Sequence, residues 1–180
     1  MKTFALWFTG LPGSGKSTLA KKLVKKLKGT AYLEMDEIRK YLTPERNYDE
    51  KERDWAYRAI AVIAKYIQAS GKSVIIDATA HKRRYRDFAR SILSNFYEIY
   101  VKCPIEECMR RETERKDKRL VAQMYKKALS GDRKSLGQVI GIDVPFEENR
   151  NTEIIVHSNS KEFQSAPKKI LERLKRDRVV

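Results

Sequence analysis

Four residues near the start of the chain, Gly10, Gly15, Lys16 and Ser17, have types and spacing suited to holding a polyphosphate. They satisfy G-x-x-x-x-G-K-[ST], in which the backbone N–H groups of a glycine-rich turn and of the helix after it point at phosphate oxygens. Within "GLPGSGKST" the nucleotide-binding set is Gly10, Gly13, Ser14, Gly15, Lys16, Ser17 and Thr18. A side chain at Gly13 or Gly15 is expected to crowd the phosphates. Lys16 would lie along the β- and γ-phosphates of ATP, and the Ser17 hydroxyl would complete a Mg²⁺ shell. Asp77 ends the apolar run "KSVIID", a position from which a carboxylate holds Mg²⁺ through water. An aspartate that simply ends a strand and caps the next turn has the same pattern.

Asp36 follows another apolar run, in "YLEMDEIRKYL", with Arg39 three residues later. A carboxylate there can accept the proton of an attacking hydroxyl, and a guanidinium can grip an anionic acceptor with two parallel hydrogen bonds. Asp36 also reads as the N-cap of the helix "EIRKYL", which is compatible with catalysis. The candidate catalytic pair is therefore Lys16 and Asp36, acting in phosphoryl transfer to an alcohol. The guanine-reading N-K-x-D of GTPases does not occur, and a chain this short favours a small kinase.

These residues need a scaffold that brings loop ends together. Apolar runs "FALWFT", "TAYLEM", "SVIID", "YEIYVKC" and "EIIVHS" alternate with helical patterns. The helices are expected from Ser17, over Asp36–Leu42, about Glu50 to Ser70, from Arg83, from Ile105, and over Lys161–Arg176. Strands separated by helices imply a parallel sheet covered on both faces. With the phosphate loop, the expectation is an α/β fold: a P-loop NTPase three-layer sandwich with a mainly parallel five-stranded sheet and a helical, irregular lid at about 112–134. Residues 1–180 are expected to form one domain.

Lys and Arg number 39 against 24 Asp and Glu, a formal charge of +15. That suits either a nucleic-acid surface or heavily anionic ligands, and the lysine runs also read as solvated helix faces. No apolar run approaches the roughly twenty residues of a membrane span, so a cytoplasmic protein without a membrane partner is expected. Cys103 and Cys108 lack metal-ligand spacing and read as core residues. Trp55 reads as core, and His81 as a surface loop residue.

The chain resembles the adenylyl-sulfate (APS) kinase family over nearly its whole length. "GLPGSGKSTLA" opens the likeness. "EMDEIR" lies where the family has D-G-D-x-x-R, "DATAHKRRYRDFAR" falls on A-F-I-S-P-Y-R-x-x-R, and "YVKCPIEEC" is similar to V-x-T-P-L-E-V-C. "GIDVPFEEN" is similar to G-I-D-x-P-Y-E-x-P, a segment with no generic P-loop reason to exist. The resemblance implies transfer of the ATP γ-phosphate to the ribose 3′-hydroxyl of APS, and usually a homodimer. It gives Asp36 the base-like role, and gives Arg39, Arg53 and Arg58 contacts to anionic groups. Tyr48 takes the place of a Phe that stacks on the acceptor adenine. Lys126, after Tyr125, belongs to the mobile lid, and Ile142 to the loop that closes over bound nucleotides. Departures gather on the acceptor side. Glu34 replaces the first Asp of D-G-D, Ala56 an Asn, Ala80 a Ser and Val139 a stacking Phe, while Ala122, Gln123 and Met124 stand where the lid has K-G-L. Two other readings follow from the residues: a kinase acting on a polynucleotide, a tRNA-linked hydroxyl or another small alcohol, and a non-catalytic nucleotide-binding regulator.

Overall fold

The computed structural model describes residues 2–45, 48–114, 124–131 and 137–180. Ala122, Gln123 and the charged run after position 114 lie outside the described residues.

Five strands form one sheet: β1 (Ala5–Thr9), β2 (Ala31–Glu34), β3 (Val74–Asp77), β4 (Phe96–Lys102) and β5 (Ile154–His157). Their order is β2-β3-β1-β4-β5, and every pairing is parallel. Between them run α1 (Lys16–Lys26), α2 (Met35–Leu42), α3 (Glu50–Ala69), α4 (Arg83–Ile92), α5 (Ile105–Glu114), α6 (Met124–Ser130) and α7 (Ala166–Arg176). Side chains alternate across a strand, and both faces of this sheet are covered, so the inner strands read as nearly continuous apolar runs. Ala5, Trp7, Val74 and Ile76 pack with Tyr57, Ile60, Ala64 and Ala89 of α3 and α4. Leu6, Phe8, Ile75, Ile99 and Val101 pack with Leu19, Leu23, Ile170 and Leu174 of α1 and α7. Each fully buried Leu, Ile or Phe of this kind contributes about 1.5–3 kcal/mol.

Two boundaries differ from the sequence expectation. Met35 opens α2 rather than closing β2. A 3₁₀ turn, Lys161–Gln164, precedes α7, which begins only at Ala166. Pro167 in the first turn of α7 has no N–H to bond the carbonyl a turn earlier, so one continuous helix cannot form across it.

Because the strands are parallel, Thr9, Glu34, Asp77 and Lys102 all finish at one edge. The chain runs from β1 outward to β2 and back to β3, then crosses β1 to β4, so the strand order reverses at β1. A crevice at such a reversal, at the carboxyl ends of the strands, is where α/β sheets of this kind bind ligands.

Candidate active site

The loop between Thr9 and Lys16 holds a conformation that only glycine adopts cheaply. Gly10 has φ 140° and Gly13 φ 83°. A Cβ at Gly13 would lie 2.8 Å from the Cys108 carbonyl oxygen, and one at Gly10 would lie 2.5 Å from that of Val101. A Cβ at Gly15 would meet the Phe163 ring at 3.1 Å. The nearest obstacles at these glycines are thus the protein's own strand β4, helix α5 and Phe163, whereas the sequence reading expected crowding against phosphate. The Ser14 amide donates to the Leu11 carbonyl at 3.1 Å, closing the turn. The first intrahelical bond of α1 runs from the Leu19 amide to Gly15. The amides of Lys16, Ser17 and Thr18 therefore have no intrahelical acceptor and face the crevice as a ready anion site.

Lys16 is buried and donates from Nζ to the Leu11 carbonyl at 3.2 Å, folded back over the loop. The Ser14 hydroxyl is buried without a hydrogen-bond partner. It lies within the loop, 3.1 Å from where a Cβ on Gly10 would stand. Asp77 ends β3 beside Phe8 and opposite Glu34, and is only 4% exposed. Its Oδ2 accepts from the Tyr32 hydroxyl at 2.9 Å. Burial pushes its carboxyl pKa up, while the charge of Lys16 and hydrogen bonds from Ser17 and Tyr32 pull it down. The nearness of Ser17, Asp77 and Lys16 fits a hard cation shared with phosphate oxygens. Among the described residues, no group of three or more His, Cys, Asp or Glu could hold a metal by itself.

Asp36 occupies the first turn of α2, two residues beyond the end of β2, and is exposed. The N-cap of α2 is Glu34, so Asp36 is not the cap that the sequence also allowed. Arg39, one turn on, is buried and pairs through Nη1 with Glu52 Oε1 at 2.7 Å. Arg53, also buried, donates from Nε to the Tyr48 carbonyl at 2.8 Å and from Nη2 to the Gln138 carbonyl at 2.5 Å. Tyr48 sits between them, its ring centroid 5.3 Å from the Arg39 guanidinium carbon and 5.8 Å from that of Arg53. Burial, joined by the charge of Arg39 and opposed by Tyr57, Tyr85 and Glu52, pushes the Arg53 pKa below its ordinary value. Tyr48 itself has φ 54°, an uncommon conformation for a non-glycine residue.

Arg58 does not join this group. It lies on the outer side of α3, over the Phe88 ring at 4.3 Å and paired with Asp54 at 3.3 Å. The buried face of α3 runs through Arg53, Ala56, Tyr57, Ile60, Ala61 and Ala64, a phase that turns position 58 outward. The same phase leaves Trp55 51% exposed, against the expectation of core. His81 corrects in the other direction: it is buried, edge-on to Tyr85 with centroids 5.7 Å apart, and its Nδ1 has no partner. Burial, then the charges of Arg53, Lys82 and Arg86, lower its pKa to about 3.

Of the lid, Lys126 is exposed on α6. Its neighbour Tyr125 makes the connection, donating from its hydroxyl to the Pro12 carbonyl at 2.9 Å. Ile142 packs beside Leu11 against a cluster containing Cys103, Cys108, Tyr125 and Val139. Both cysteines are buried and free.

Three features at the site were not anticipated. Glu52 neutralises Arg39 and accepts from the Tyr48 amide at 2.6 Å, while its own amide is capped by Asp49. The D-x-x-E spacing of a capping box was the available signal. Arg111 donates from Nη1 to the Ser14 carbonyl at 3.2 Å and from Nη2 to the Ser158 carbonyl at 2.9 Å, tying the phosphate loop to the exit of β5. Phe163 meets the same loop from the far side. Their spacing from the loop in sequence gave no signal for either.

A parallel sheet with a lysine-bearing phosphate loop at its central strand and a buried carboxylate on the adjacent strand is the architecture of a P-loop kinase. The adenylylsulphate kinase family model matches residues 2–157. A probable adenylyl-sulfate kinase of Archaeoglobus fulgidus is 33% identical over 161 residues, covering 87% of this chain and 97% of that one. One from Halalkalibacterium halodurans is 36% identical over 176 residues, covering 94% and 82%. The solved APS kinase of Mycobacterium tuberculosis, in complex with AMPPNP and APS, superposes with a TM-score of 0.82 at 25% identity, covering 97% and 98% of the two chains. The chain belongs to the adenylylsulphate kinase family. No helix among the described residues is long and apolar enough to cross a membrane.

Proposed function

We propose that the protein transfers the γ-phosphoryl group of ATP to the ribose 3′-hydroxyl of APS, giving ADP and 3′-phosphoadenylyl sulfate. The observation that carries the acceptor is the buried pair Arg39 and Arg53. One is balanced by Glu52, and the other, among the described residues, donates to carbonyl oxygens. A buried site with surplus positive charge stabilises an anion, and APS brings a phosphosulfate together with an adenine able to stack on Tyr48.

On this reading the triphosphate lies over the amides of Gly13 to Thr18, with Lys16 swinging from the Leu11 carbonyl to the β- and γ-oxygens. Ser17, with Asp77 through water, would hold Mg²⁺, which supplies neutralising charge to the phosphates when bound. The acceptor oxygen attacks the γ-phosphorus, the bridge to the β-phosphate breaks, and ADP leaves with that electron pair. Asp36 receives the hydroxyl proton. The Tyr125 anchor to Pro12 lets α6 follow the loop, so that water is kept from the phosphoryl group.

The test is coupled ADP release with and without APS. A rate that rises with APS, with product carrying phosphate on the 3′-oxygen, supports the reading. The same slow rate in both refutes it.

A further inference from the structure

Two irregular segments run along the crevice beside Arg53: residues 78–82, leaving β3, and residues 138–149, which include Val139 and Ile142. One buried side chain joins them. Arg86 of α4, fully buried, donates from Nη1 to the Ala80 carbonyl and from Nη2 to the Glu147 carbonyl. Its Nε pairs with Glu98 Oε1 at 2.9 Å. Glu98, buried on β4, also accepts from Asn149 Nδ2 at 2.8 Å and from the Thr152 hydroxyl at 3.2 Å. The Glu147 amide completes the link by donating to the His81 carbonyl at 2.8 Å. Phe146 stacks on Tyr100 at 5.0 Å and lies 5.1 Å from the Arg86 guanidinium. The other end of the second segment is held by Arg53, through the Gln138 carbonyl.

Stability by itself does not call for an ion pair here, since apolar residues of similar volume often hold a core as well. Apolar residues cannot satisfy the carbonyls of two irregular segments at a fixed separation, which takes directional donors. The planar guanidinium of Arg86 donates to two carbonyls at set angles while ion-pairing with Glu98 alongside them, which an ammonium cannot reproduce. Any drift of residues 138–149 would also pull on Arg53, because Gln138 is its direct partner.

We propose that Arg86, held by Glu98, is a positioning residue: it fixes the spacing between residues 78–82 and 138–149, and so the orientation of Arg53 toward the acceptor. This rests on the reading of Arg39 and Arg53 as the acceptor site. Arg86 itself touches neither substrate.

The test uses Arg86→Lys and the paired variant Arg86→Met with Glu98→Leu. The pair leaves no unpaired buried ion, since Arg90 keeps Glu153, but it also removes the acceptor of Asn149 and Thr152, so Arg86→Lys, with Glu98 intact, decides where the two differ. Both are expected to raise the KM for APS by about tenfold, with the KM for ATP within about twofold of wild type. Amide hydrogen exchange is expected to quicken in residues 78–82 and 138–149 while β1 and β3 stay protected. Wild-type APS KM and unchanged exchange in a folded paired variant would overturn the proposal, leaving Arg86 a purely structural residue. Equal rises in both KM values in Arg86→Lys would also overturn it. If the paired variant fails to fold, Arg86→Lys decides. If the wild type turns over no APS, the acceptor reading fails, and exchange in the two segments decides the positioning claim by itself.

Discussion

Replacing Glu52 with Gln separates the charge of the Arg39 partner from its shape. The carboxylate and Arg39 are 9% and 4% exposed, so the pair is essentially out of water. Removing one member of such a pair leaves an uncompensated buried charge and costs about 3–5 kcal/mol. Here a second buried guanidinium, Arg53, adds its repulsion. Gln retains a carbonyl oxygen able to accept from the Tyr48 amide, so the loss reports the charge and not the helix cap. At roughly 2–4 °C per kcal/mol for a chain of this size, thermal melting should fall by roughly 6–20 °C. The assay is calorimetry with increasing inorganic sulfate or APS. An anion at 100 times its Kd stabilises by about 2.7 kcal/mol. The gain in Tm at equal occupancy should be larger in Glu52→Gln than in wild type, because the anion replaces the missing carboxylate. Melting within about 2 °C of wild type would refute the reasoning, as would no greater rescue by sulfate.

Asp36→Asn should lower kcat by about 10²–10⁴-fold with ATP affinity and Tm unchanged, since the side chain is exposed and caps nothing; single-turnover transfer with ATP-binding calorimetry checks this. Asp77→Asn should raise Tm at neutral pH while lowering Mg²⁺-dependent turnover. Burial raises the folded-state pKa of Asp77, so the ionised carboxylate costs stability increasingly as pH rises above its unfolded value, and the amide relieves that cost. His81 shows the opposite sign. Its folded pKa of about 3 lies below the ordinary 6.5, so the unfolded chain binds the extra proton and stability falls as pH drops below 6.5. His81→Phe should flatten the stability profile between pH 6.5 and 5 by at most about 2 kcal/mol, read from urea midpoints.

The strand and helix alternation was legible because each element carries its own periodicity. Residues 10–18 were legible for a related reason: the loop is specified by glycine dihedrals and by the helix that follows within a few residues. Helix α3 was harder. In "WAYRAIAVIAKYI" apolar residues occupy almost every phase, so periodicity could not choose which face meets the sheet. The sheet chose Ala56, Tyr57 and Ile60, and sent Trp55 and Arg58 outward. His81 gave no clear signal for burial: Tyr85, in the first turn of the following helix, meets its ring, but the charge of Arg53 that also acts on it comes from α3, distant in sequence.

Sequence by itself determined the loop proposed to hold the donor, since its amides, lysine and serine are contiguous and their geometry is local. Tertiary structure decided the acceptor half. Arg39, Glu52, Arg53 and Gln138 come from three separate stretches, and they meet, with one positive charge in excess, only when α2, α3 and the 138–149 segment converge. Electrostatic pairing in a buried site depends on distances of a few ångströms across the fold, a quantity that residue types and spacings along a chain do not contain.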